Sequence, residues 1–80
     1  MNTSSVKQFT PIATDVKVNS EMLQVYLSDG RIVSVPIEWF PKLRDASEKE
    51  RNNWRLIGGG IGIHWEDIDE DLSVAGLLQL

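Results

Sequence analysis

Six side chains able to hold a cation or move a proton fall between positions 64 and 71: His64, Glu66, Asp67, Asp69, Glu70 and Asp71. Oxygen-rich clusters of this kind bind hard cations, and the EF-hand loop is the spacing to test. Asp67, Asp69 and Asp71 match its first three ligand positions. Leu72 stands where the loop turns on glycine, however, and Leu78 where it closes with glutamate. The cluster therefore reads as a solvated acidic turn leading into a helix, whose dipole favours carboxylates at its start.

The glycines just before it, Gly58, Gly59, Gly60 and Gly62, invite a phosphate-binding reading. Counted from Gly60, the dinucleotide pattern needs a third glycine at position 65, which is Trp65, and no Gly-Lys-Ser/Thr follows. These glycines are expected to be backbone devices, a bulge or kink that lets the chain pass close beneath Trp65 or Trp54. His64 is the only histidine. A nucleophile–histidine–carboxylate set would have to use it, with Asp67 or Asp69 as the orienting acid, and no nucleophile-elbow sequence accompanies it. Paired carboxylates of the glycosidase kind need a deep pocket that so short a chain has little room to form. No catalytic residue is assigned, and the domain is not expected to be an enzyme.

Lys42, Arg44, Lys49, Arg51 and Arg55 interleave with Trp39, Phe40 and Trp54. Glu38, Asp45, Glu48 and Glu50 share the segment and leave it one charge positive, which cancels most phosphate attraction. The expected arrangement is a solvated helix with local pairs such as Glu48–Arg51. Trp39 and Phe40 are adjacent and cannot both point inward, and an exposed aromatic beside Arg44 is the composition of a binding hot spot.

These residues must be positioned by a small fold. Eighty residues with net charge −4, 41% hydrophobic and 25% charged, are the profile of one globular domain. The absence of cysteine suits a cytoplasmic protein held by packing alone. Met1 to Thr10 is polar, shows neither signal peptide nor anchor, and is expected to be flexible; residues 11–80 form the domain. The acidic balance makes direct nucleic-acid binding a poor expectation. No cofactor or membrane association is expected.

Ile12, Val16 and Val18, then Leu23, Val25 and Leu27, then Ile32, Val33 and Val35 mark three strands. Asn19-Ser20 and Asp29-Gly30 turn them into an antiparallel meander, the latter pair as a type I′ turn. Pro36 ends the third strand and opens a helical stretch that Pro41 restarts. Ser47 and Glu50 form a capping box for a helix to about Trp54. Arg55 to His64 reads as a strand or hairpin bent at its glycines, and Ser73 caps a last helix through Gln79. The fold class is α+β: a small antiparallel sheet of three to four strands packed by short helices.

Ser28-Asp29-Gly30-Arg31, Val35-Pro36-Ile37-Glu38-Trp39-Phe40-Pro41-Lys42-Leu43, Arg51-Asn52-Asn53-Trp54, and Gly58 through Trp65 to Asp69-Glu70-Asp71-Leu72-Ser73-Val74 recur in one order. In this the chain resembles the bacterial domain-of-unknown-function (DUF) family 2442 from about residue 15 to Leu78. Glu66 departs from the family, where many relatives carry proline. The resemblance implies a small α+β domain found alone, beside small toxin-like proteins, or ahead of a helix-turn-helix domain. It transfers no catalytic residue. The expected role is a protein-interaction or regulatory module, antitoxin-like, with a small basic toxin as partner. The surface is expected at Trp39, Phe40 and Arg44, or else at the acidic turn with Trp65, Asp67 and Asp69. The alternative is a small-ligand- or metal-binding regulatory domain centred on Gly58–Asp71, and the free edges of a small sheet leave a homodimer open.

Overall fold

The computed structural model describes residues 11–80; the expected flexible segment Met1–Thr10 lies outside them. Two antiparallel meanders follow one another, each a three-stranded sheet. The first contains β1 (Ala13–Val18), β2 (Met22–Leu27) and β3 (Ile32–Pro36). Alternation explains it: Leu23, Val25 and Leu27 are buried while Met22, Gln24 and Tyr26 are half-buried on the other face, the pattern of a sheet with one face on the core. The Asn19 side chain makes the first turn, its Oδ1 accepting from the N–H groups of Glu21 and Met22, both at 2.7 Å.

The second turn differs from expectation. Gly30 alone has positive φ, at +94°, while Ser28 and Asp29 do not. The Gly30 N–H reaches the Leu27 carbonyl, and the Leu27 N–H reaches the Arg31 carbonyl. This is the three-residue hairpin loop with a left-handed glycine at its end, not type I′. The Asp29 carboxylate secures it by accepting from the Arg31 N–H and guanidinium.

Pro36 ends β3 and leads into a 3-10 turn, Ile37–Trp39. Pro41 then occupies the first turn of α1 (Pro41–Arg44), where its missing N–H costs nothing. The capping box is present around α2 (Glu48–Arg51): Glu50 N–H donates to Ser47 Oγ, and Ser47 N–H donates to the Glu50 carboxylate. This helix is one turn long and does not reach Trp54, because Trp54 opens β4.

The second meander comprises β4 (Trp54–Ile57), β5 (Gly62–Trp65) and β6 (Glu70–Ser73), paired Leu56 with Ile63 and His64 with Asp71. The α+β class and the N-terminal meander are as expected; a second three-stranded sheet is added to the first, and Glu70 and Asp71, expected in the acidic turn, lie in its last strand. Gly58 and Gly59 take φ of +60° and +70° between β4 and β5. Positive φ at both central residues, expected at Asp29-Gly30, occurs here instead. Ser73 caps α3 (Val74–Leu78), accepting from the Gly76 N–H at 3.0 Å.

Buried residues of both sheets and of α1 and α3 form one cluster, with Leu23, Ile37, Leu43, Ile63, Trp65 and Val74 at its centre. The two meanders are also joined directly. The Ala13 N–H donates to the Gly60 carbonyl at 2.7 Å. A Cβ on Gly60 would run into Ile12 and the Ala13 carbonyl oxygen, and Gly60 has φ +104°. The close approach is therefore to the start of β1, not to Trp65 or Trp54 as expected. Gly60→Ala should lose more than about 2 kcal/mol, from strain and a backbone clash together. Gly59→Ala, which faces open space, should lose about 1 kcal/mol. Urea unfolding midpoints compare the two, and equal losses would contradict this account of the junction.

Candidate functional site

The acidic cluster organises around His64 on β5. Its Nδ1 lies 2.6 Å from Asp71 Oδ1, directly across the β5–β6 ladder, and its Nε2 lies 2.8 Å from Glu66 Oε2. Ionised carboxylates only accept hydrogen bonds, so two of them on opposite ring nitrogens hold the imidazole as a cation. The Glu66 contact, followed by the Asp71 contact, accordingly raises the His64 pKa above its ordinary 6.5. The same pairing lowers the Glu66 pKa below its ordinary 4.5. Arg55, opposite His64 on β4, reaches Glu66 at 3.9 Å and completes an alternating set of charges.

This geometry supplies a brace rather than a base. With both nitrogens engaged by carboxylates, the imidazole has no free lone pair to take a proton from a nucleophile. Its partners are Asp71 and Glu66, not the Asp67 or Asp69 considered from sequence. Asp67 instead accepts from the Asn53 amide at 3.0 Å. Asp69 has positive φ, and its backbone carbonyl accepts from Lys42 Nζ at 3.0 Å. Asp71 and Glu66 approach opposite sides of the ring and do not converge on one point. Among the described residues, no group of three or more His, Asp or Glu is arranged to hold a metal ion.

Among the described residues, shallow cavities of about 260 and 290 Å³ open at the surface, and neither of these is lined by Gly58–Gly60. The larger is walled by Phe40, Leu72, Leu77 and Leu80 with Asp71 at its rim. Phe40 thus packs half-buried along a groove, while its neighbour Trp39 is 56% exposed. The inference that these adjacent aromatics must diverge holds. Arg44 is exposed and pairs with Asp45 at 2.9 Å and Glu38 at 3.7 Å. Trp65 requires correction as a surface residue: it is fully buried, and its indole N–H donates to the Arg51 carbonyl at 2.9 Å. The expected Glu48–Arg51 pair is also replaced, because Arg51 Nε donates to the Leu43 carbonyl at 3.1 Å.

The two surfaces treated as alternatives from sequence are neighbours in space. Phe40 and Asp71 line one groove, and Lys42 bridges to the Asp69 carbonyl. Leu72, Leu77 and Leu80 were not singled out as site residues. Their only signal is an apolar run near the chain end, which reads equally well as core.

The model of a protein family of unknown function, DUF2442, matches residues 13–80. The chain belongs to the DUF2442 family. The chain is similar to a solved structure of a protein of unknown function from Rhodospirillum rubrum ATCC 11170, with 31% identity, 86% of each chain covered and a TM-score of 0.75. No curated protein matches it. Neither the DUF2442 description nor the name of that structure states an activity. Among the described residues of this DUF2442 chain, no helix is long and apolar enough to cross a membrane.

The His64 brace makes stability depend on pH. A raised histidine pKa stabilises the fold fully below 6.5, and that contribution is lost as pH rises through the folded value. A lowered Glu66 pKa stabilises above 4.5, and its contribution is lost as pH falls through the depressed value. This set is thus most favourable between about 4.5 and 6.5. The melting temperature should fall as pH rises from 6 to 8, and His64→Gln should flatten that slope. A wild-type melting temperature constant over that range would contradict the brace.

Proposed function

We propose that this domain is a cytoplasmic, non-enzymatic protein-interaction module that docks a protein partner on the surface formed by Trp39, Phe40 and Arg44 together with the neighbouring acidic turn. Trp39 carries the reading: a tryptophan 56% exposed, next in the chain to Glu38, which pairs with Arg44 at 3.7 Å, has the chemistry of interface anchors. The Phe40 groove follows it in the chain, Asp71 lines that groove with negative charge, and Lys42 of α1 ties the Asp69 backbone to the same side. A basic partner suits this surface, since complementary potentials speed encounter and disfavour wrong partners. The family resemblance implies members found beside small toxin-like proteins, which points the same way, towards an antitoxin-like role. The engagement of both His64 nitrogens by carboxylates supports a role without catalysis.

Calorimetric titration of the domain with the basic protein that it retains from native cell extract tests the proposal. Trp39→Ala should weaken binding by about 2 kcal/mol, roughly thirtyfold. Arg44→Ala should weaken it too, through the lost packing and hydrogen bonding of the guanidinium, while both variants keep the wild-type circular dichroism. Equal affinity of the wild type and both folded variants would contradict the assignment of the surface.

A further inference from the structure

The two sheets present four edge strands among the described residues, and three of them carry features that discourage pairing. The β1 edge has a register break between Ala13 and Asp15 and bears Asp15 and Lys17. The β4 edge bears Arg55, and the β6 edge begins with Glu70 and Asp71. Charges and bulges are how sheet edges avoid adding another strand. The β3 edge has neither, and its one proline, a further such device, stands only at its last residue. Its sequence is Ile32-Val33-Ser34-Val35-Pro36, without formal charge, and Ile32 is 50% exposed.

Hydrogen bonding shows which groups face outward. The Arg31 carbonyl and the Ile37 N–H both point to β2, bonding Leu27 and Glu21 respectively. With Val33 opposite Val25 and Val35 opposite Leu23, the antiparallel alternation directs the backbone groups of Ile32, Ser34 and Pro36 away from β2. Pro36, which has no N–H, therefore sits at an outward position, where proline is tolerated on an edge.

We propose that the β3 edge pairs antiparallel with the β3 edge of a second copy of this chain, about a two-fold axis at Ser34. In that register the two Ser34 residues exchange N–H to carbonyl bonds. Each Ile32 N–H donates to the Pro36 carbonyl of the other copy, so proline only has to accept. The pairing places no like charges opposite one another within the strands, and at each end it brings exposed Arg31, held by Asp29, towards Glu38 of the other copy, held by Arg44 at 3.7 Å, so that opposite charges meet at the periphery. The two meanders β1–β3 then become one continuous sheet. This inference does not rest on the proposed partner at Trp39, because it uses the backbone edge of β3.

Sedimentation equilibrium of the whole chain over a range of concentrations tests it. The wild type should show a reversible monomer–dimer equilibrium. Ser34→Pro removes an N–H that β2 does not use, and should raise the dimer dissociation constant about tenfold or more. Ile32→Lys, at an exposed position, should do likewise and guards against a folding defect in the proline variant. Lys17→Glu on the β1 edge should leave the constant unchanged. A wild type that stays monomeric throughout, or a dimer that both folded β3 variants leave intact, overturns the proposal.

Discussion

The indole N–H of fully buried Trp65 donates to the backbone carbonyl of half-buried Arg51, and the placement of the middle of the chain depends on that bond. A buried indole needs an acceptor. The last carbonyls of a helix need donors, and α2 ends at Arg51. The Arg51 guanidinium in turn donates to the Leu43 carbonyl in α1. One line of donors thus runs from β5 through α2 to α1. Neither helix exceeds one turn, a length too short to be stable alone. Their position is therefore set by this line and by the buried Leu43 and Ala46, which in turn fixes where the exposed Trp39 and Arg44 stand.

Features written in a few consecutive residues were legible in the sequence. The Ser47–Glu50 capping box, the Asn19 turn and the Ser73 cap are each satisfied by side chains within three residues of the backbone they serve, so residue type alone predicts them. The alternation of β2 likewise shows its buried face directly. Features created by pairing were not legible. Glu70–Ser73 contains two acids and has poor strand propensity, yet it becomes β6 because β5 offers it a ladder and tertiary pairing overrides propensity. That same register sets Asp71 beside His64, while the nearer Asp67 and Asp69 turn elsewhere.

The candidate site shows the same division. Divergence of Trp39 and Phe40 follows from their adjacency. The groove does not, because Phe40 is joined there by Leu72, Leu77 and Leu80, more than thirty positions along the chain. Position in the sequence groups Trp65 with the acidic residues, but strand alternation turns it inward while Glu66 faces solvent. The family assignment does not alter this account, since the fold and the charge brace follow from the residues themselves.

The central claim, that the Trp65–Arg51 bond holds the helical middle of the chain against the second sheet, is tested most directly by hydrogen exchange of the indole protons. Nuclear magnetic resonance resolves one for each tryptophan, and the chain has three. The Trp65 indole proton should exchange slowest, at the rate set by global unfolding, while that of exposed Trp39 exchanges fast. Fast exchange at Trp65, comparable with Trp39, would show that the bond opens while the rest of the fold stands, and would contradict the claim.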